Sequence, residues 1–249
     1  MSNSSVKSAD RVLDLLEAFV DAKRPLSLSD LADRLDAPVS SCHGLVHTLL
    51  QRGYLYGLGA RKAVYPTRRL LDAARVIAAH DPVVERLRAG LLGLRDATGE
   101  TVILGKRQGD AVVYLDVIEG LQTIRYTAAA GETKPLHSSA IGKAMLAQLD
   151  EAALPDELGR LALAQVTDAT IVDAAALAED ISAARAKGVF ITRGENVADV
   201  MAVAMDLDLG GECVGVAVAG PIHRMAEAEA AVTAALLGLK QDLMGGRAA

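Results

Sequence analysis

Pro38-Val39-Ser40-Ser41-Cys42-His43-Gly44-Leu45-Val46-His47-Thr48-Leu49-Leu50-Gln51 runs on into Arg52-Gly53-Tyr54-Leu55-Tyr56-Gly57-Leu58-Gly59-Ala60-Arg61-Lys62-Ala63-Val64-Tyr65. Proline suits the first turn of a helix. Behind it Cys42, Leu45, Val46, Leu49 and Leu50 recur at three- and four-residue steps, the spacing of one buried helical face. The opposite face carries Ser40, His43, Gly44, His47 and Gln51, with no carboxylate and no large apolar side chain. Hydroxyls, imidazoles and an amide are the groups that meet phosphates and base edges. Gly53 closes the helix. Tyr54 to Tyr56 and Ala63 to Tyr65 read as two short strands around a glycine-rich tip that bears Arg61 and Lys62.

Upstream, Ala9, Val12, Leu13, Leu16, Phe19 and Val20 mark a first helix that Arg24-Pro25 ends. Ser27 to Asp30 forms a capping box, and Leu28, Leu31, Ala32 and Leu35 supply the inner face of a short second helix. Two helices, a polar-faced third and a basic-tipped hairpin make a winged helix-turn-helix. Ser27, Ser41 and Thr48 join the outer-face residues and the tip as candidate DNA contacts. Any solvated helix can show serine and histidine, so charge is the further test. Residues 1–80 hold 11 Lys plus Arg against 8 Asp plus Glu, whereas 81–249 hold 15 against 24. A weakly basic head on an acidic body points to nucleic-acid contact by the head alone. Arg68 to Ala79 reads as a connecting helix, and His80-Asp81-Pro82 as the domain boundary.

The remainder mixes elements without regular alternation. A helix passes through Leu87, Leu91 and Leu94. Strands cover 101–104 and 111–115 around a Gln108-Gly109-Asp110 turn, and another covers Thr123 to Ala128. Helices follow at 139–148 and 173–187, strands at 189–193, 200–207 and 213–219, and a last helix at about 222–243. This pattern predicts an α+β domain with an antiparallel sheet.

Composition excludes several classes. Aromatics make up 3% and Trp is absent, so Ala, Leu and Val must build the core. Cys42 and Cys213 form no C-x-x-C pair, which argues against a disulfide framework or zinc site and for a reducing cytoplasm. The polar first residues lack a signal-peptide pattern, and no apolar run is long enough to span a membrane. No cofactor motif occurs.

From Ser5-Val6 to the last helix the chain resembles the IclR family of bacterial regulators. The resemblance rests on the Pro-Val-Ser-Ser helix entry, on Leu-Leu-Gln-Arg-Gly-Tyr-Leu, and above all on Lys134-Pro135-Leu136-His137-Ser138-Ser139-Ala140-Ile141-Gly142-Lys143-Ala144-Met145-Leu146-Ala147. Gly188-Val189, Glu195, Gly220-Pro221-Ile222 and Arg224 also match. The resemblance implies a winged helix-turn-helix over 1–66, a linker helix over 67–81 and a GAF-like effector domain over 82–249. It also implies operator DNA and a small-molecule effector as partners, and assembly as a homodimer or dimer of dimers. It places a ligand pocket at Val200, Ala202, Ala217 and Ala219, with Ser139, Ala140, Ile141 and Thr192 beside it. The chain departs from the family at Gly44, where an Arg is common, and at Asp199, Ala202, Ala217 and Ala219, where Gly, Cys or Ser occur. Losing the Arg removes a phosphate or base contact that Arg61 and Lys62 can replace. Small apolar walls predict an effector with an apolar body and one polar end, an aromatic acid or acyl derivative, and control of a catabolic operon.

Two alternatives stand beside this reading. His137, Ser138 and Ser139 invite a hydrolase, but neighbours in sequence rarely face each other, and no G-x-S-x-G, H-E-x-x-H or P-loop occurs. A structural histidine and a helix-capping serine are the simpler reading, and no catalytic residue is expected. The second alternative is a DNA-binding dimer without a ligand. His43 and His47 have metal-binding spacing, but that face offers no third ligand, so no metal site is expected.

Overall fold

The first unit begins with α1 (Lys7–Ala22), α2 (Leu28–Arg34) and α3 (Val39–Gln51). The computed structural model describes residues 6–59 and 62–245. Lys23 turns left-handed to end α1. The Ser27–Asp30 capping box opens α2, with the Ser27 hydroxyl accepting from the Asp30 amide. Gly53, at φ 72°, stops α3, a conformation that glycine adopts without steric cost. Strands β1 (Leu55–Leu58) and β2 (Ala63–Pro66) form the wing, and Leu26 bridges to Val64 beside them. Leu15, Phe19, Leu31, Val46, Leu49 and Val64 meet in one core, where Phe19 and Tyr65 pack edge to face with centroids 5.8 Å apart. Helix α4 (Arg69–Ala78) buries none of its residues. Contacts divide the chain between residues 81 and 82.

Periodicity placed two apolar stripes imperfectly. In α1 the buried residues are Leu15, Ala18 and Phe19, while Leu13 and Val20 are exposed. Apolar residues occupy more than one face of this helix, so spacing alone does not choose the inner one. In α3, Leu50 is exposed and Cys42, Val46 and Leu49 carry the packing.

The second unit comprises α5 (Pro82–Thr98), β3 (Thr101–Gln108), β4 (Ala111–Ile118), β5 (Thr133–Pro135) and α6 (Ala140–Leu146). There follow α7 (Leu154–Arg160), α8 (Ala174–Arg185), β6 (Phe190–Arg193), β7 (Val200–Asp208), β8 (Cys213–Pro221) and α9 (Ile222–Met244). Six strands form one antiparallel sheet in the order β5-β4-β3-β8-β7-β6. Alternation along β3 sends Val102 and Leu104 to one face and Ile103 to the other. The first face packs on Leu87, Leu91 and Leu94 of α5 and Met225, Val232 and Leu236 of α9. The second packs on α6, α7 and α8. The sheet is therefore buried on both sides, and each buried Leu contributes roughly 1.5–3 kcal/mol.

Helix α6 lies close to the sheet because the sequence removes side chains where they would collide. A Cβ at Gly142 would run into the Leu136 backbone, and one on Gly215 into the Ile141 side chain. The expected strand over Thr123 to Ala128 does not form. Its backbone is held by side chains instead: Thr101 Oγ1 donates to the Tyr126 carbonyl (2.5 Å) and Arg224 Nη2 to that of Ile124 (2.9 Å). The sequence reading also missed β5 and α7. Among the described residues no helix is long and apolar enough to cross a membrane.

Candidate functional site

On α3, Ser40, His43, Gly44, His47, Thr48 and Gln51 are exposed and Ser41 is half-buried. The two imidazoles stack, centroids 6.3 Å apart and planes 5° from parallel. Nothing lies within 4 Å of where a Gly44 side chain would begin. The amides of Ser41 and Cys42 bond the Pro38 carbonyl, so those of Val39 and Ser40 are the free first-turn donors of the helix. Free amides at a helix start suit a phosphate. Lys62 is exposed at the wing, whereas Arg61 lies outside the described residues.

Two predicted contacts are already engaged. The Ser27 hydroxyl donates to Asp30 Oδ2 (2.5 Å) and accepts from the Asp30 amide (3.1 Å). The Thr48 hydroxyl donates to the Gly44 carbonyl (2.9 Å), which leaves it no proton for a phosphate oxygen. Hydrogen bonds from Ser27, first its side chain and then its backbone, hold the Asp30 carboxyl well below the usual carboxylate range, and Arg24 adds to them. Among the described residues no group of three or more His, Cys, Asp or Glu is placed to hold a metal.

In the second unit all eight predicted pocket residues, Ser139, Ala140, Ile141, Thr192, Val200, Ala202, Ala217 and Ala219, line one cavity. Its volume is about 30 Å³, and it is partly open to the outside. Sheet register builds its floor, because Ala202 pairs with both Thr192 and Ala219, and Ala217 pairs with Ile103. Sequence reasoning missed Ile103, Tyr114, Tyr126, Asn196 and Val197, which complete the wall. Two of these are phenols, so the walls are not as poor in polar groups as the alanines implied. Burial, with Tyr126 adding to it, pushes the Tyr114 phenol up, so it stays protonated. Alternation along β4 marks Tyr114 only as inward-facing. Tyr126 sits on an irregular stretch that the sequence reading took for a strand.

The Pro-Leu-His-Ser-Ser segment supports this cavity from behind. His137 is buried, with Nε2 2.9 Å from the Ala164 carbonyl. The Ser138 hydroxyl accepts from Asn196 Nδ2 (3.0 Å). The Ser139 hydroxyl donates to the Pro135 carbonyl (2.8 Å) and accepts from the Gly142 amide (3.2 Å), capping α6. Further along the same helix, Lys143 is 1% exposed, and its Nζ lies 2.7 Å from Asp180 Oδ2 and 2.9 Å from Glu195 Oε1. Burial pushes the Glu195 carboxyl up, and the Lys143 ammonium pulls it back part of the way. This ion pair ties α6 to the loop that carries Asn196 and Val197.

A winged helix-turn-helix followed by a sheet domain that holds a cavity is the architecture of a transcription regulator. The model described as "Bacterial transcriptional regulator IclR C-terminal" matches residues 70–243, and "IclR helix-turn-helix domain" matches residues 8–59. The chain belongs to the IclR family. It is 33% identical to HTH-type transcriptional regulator BhcR of Paracoccus denitrificans, over 99% of this chain and 89% of that protein. The Thermotoga maritima IclR crystal structure aligns with TM-score 0.80 at 23% identity, covering 95% of this chain and 97% of that one. An IclR homolog of Microbacterium hydrocarbonoxydans, crystallised with 4-hydroxybenzoate, aligns with TM-score 0.73 at 21% identity, covering 95% and 98%. At those identities the two structures speak for the fold.

Proposed function

We propose that the chain binds a palindromic operator through residues 40–51 and the wing, and that a small carboxylic acid held in the cavity tunes that binding. The observation that carries this reading is the exposed, carboxylate-free face of α3 on a head of net positive charge. Ser40, His43, His47 and Gln51 are the reading residues; Ser41, Gly44 and the wing's Arg61 and Lys62 meet the backbone. Exposed Leu13 and Val20 on α1, and Leu71, Val76 and Ile77 on α4, favour a second copy, as a homodimer or a dimer of dimers. Half-sites then fall about one helical turn apart, or a multiple of it. A chromosomal target places the protein in the cytoplasm. The hydroxyls of Ser138 and Ser139 are engaged elsewhere than at His137, which favours a sensor over a hydrolase.

In the cavity, the Ser139 cap takes up the Gly142 amide, which leaves the first-turn amides of Ala140 and Ile141 for a carboxylate. Asn196 and the two phenols supply further donors. The cavity is small, about 30 Å³ by the measure in which a single water needs about 10–15 Å³. A compact acid of about two to four carbons therefore fits best, ahead of the bulkier body that small walls alone predicted. A second reading keeps the aromatic acid or acyl derivative, controlling a catabolic operon, because the Microbacterium relative holds 4-hydroxybenzoate. Calorimetry with glyoxylate, pyruvate, benzoate and 4-hydroxybenzoate separates the two. Gel shifts on operator DNA recovered with the protein test the coupling. Ala202→Leu is expected to abolish acid binding and leave operator binding intact. Operator binding that survives deletion of residues 1–80 overturns the DNA reading.

A further inference from the structure

The small cavity has a neighbour. On the far side of Tyr126, Val197 and Val200 lies an open groove of about 460 Å³, lined also by Ile124, Thr127 and Pro221. Those three partition residues border both spaces. From this geometry we infer that Tyr126 is the specificity-determining residue for effector length: its ring divides one elongated site into an inner chamber for the acid group and an outer groove for a hydrocarbon tail. The inference rests on the cavity being the effector site.

The wall is built to stay in place. Thr101 holds the Tyr126 carbonyl, and Arg224, paired with the buried Glu100, holds that of Ile124. The Gly120 amide bonds Thr101 Oγ1 (3.1 Å), and the Leu121 amide bonds the Gly99 carbonyl (2.9 Å). Tyr126 shares the wall of the inner chamber with Tyr114. On the opposite side the Gly194 amide bonds the Val200 carbonyl (2.9 Å), and the Val200 amide that of Val197 (3.0 Å). With the backbone pinned on both sides, the ring is the part of the wall that a substitution removes.

The groove's chemistry names its occupant. Its cations are matched nearby: Arg125 by Glu119 (2.6 Å) and Lys134 by Glu132 (3.1 Å). Asp199 stands on the same rim. A second carboxylate gains little there. Ile124, Val197, Val200 and Pro221 instead offer apolar surface to an alkyl or aryl chain.

Calorimetry on the full chain tests this with pyruvate, hexanoate and 4-phenylbutyrate against wild type, Tyr126→Phe and Tyr126→Ala. Wild type and Tyr126→Phe are expected to prefer pyruvate. Tyr126→Ala should bind 4-phenylbutyrate at least tenfold tighter than wild type does, with pyruvate binding weakened. If Tyr126→Ala fails to fold, Val197→Ala thins the same partition and should give a smaller gain of the same sign. An unchanged ratio of long to short acid, or no binding of any acid to any variant, overturns the partition. The underlying effector reading fails separately, if wild type binds pyruvate and Ala202→Leu binds it equally well.

Discussion

Two helices of this molecule begin alike and end up in opposite surroundings. The chain enters α3 through Pro38-Val39-Ser40-Ser41 and α6 through Pro135-Leu136-His137-Ser138-Ser139, each a proline followed by paired serines, which lie in the first turn of α3 and just ahead of α6. The first entry is exposed at Pro38, Val39 and Ser40, while the second is buried from Leu136 to Ala140. Small hydroxylated residues and free amides at a helix start favour an anion in either place. On the proposed reading burial decides which anion: the open entry suits a phosphate on a polymer, and the buried one a single small molecule.

The largest expected effect breaks the buried side. Lys143→Met leaves Glu195 without its cation beneath the cavity wall and should cost ~3–5 kcal/mol of stability by urea denaturation. No side chain on the outer face of α3 has an equivalent role. There His47→Ala or Gln51→Ala should leave the melting curve nearly unchanged while weakening operator binding by ~1–3 kcal/mol. Lys62→Ala should instead weaken all DNA alike and lower the salt slope by about one. Should His47→Ala cut specific and random DNA equally, this face positions the protein and does not read bases.

Much of this was legible beforehand. The polar face of α3, the Ser27 box, and the Ala202, Ala217 and Ala219 floor follow from pattern or family resemblance. Lys143 was not legible as a buried group, because a lysine reads as solvated and its partners, Asp180 and Glu195, lie far off in sequence. Tyr126 escaped for a related reason. Its segment was read as a strand, yet the Thr101 hydroxyl and Arg224 guanidinium do the work of a neighbouring strand, and nothing local announces such partners.

Smaller effects sharpen the comparison. Ser27→Ala removes a helix cap and should cost ~1 kcal/mol. Because Asp30 titrates lower in the folded head than its ordinary value near 3.9, its contribution is full above that value and is lost only as pH falls through the folded one. Melting temperature against pH should therefore be flat near neutrality and drop in acid, with a shallower drop in Ser27→Ala. The smallest change is Gly44→Ala, which meets open space and should stabilise α3 by up to ~1 kcal/mol without a clash. A loss of stability there would mean that another chain packs on this face.

The alanine floor of the cavity has a consequence for how such a sensor acquires a new signal. Ala202, Ala217 and Ala219 stand on neighbouring strands whose backbone hydrogen bonds run within the sheet, away from their side chains. Adding or removing a methyl group at any of them reshapes the cavity while the ladder stays intact. A lineage carrying this sheet can therefore alter the shape of the cavity one codon at a time and keep the fold.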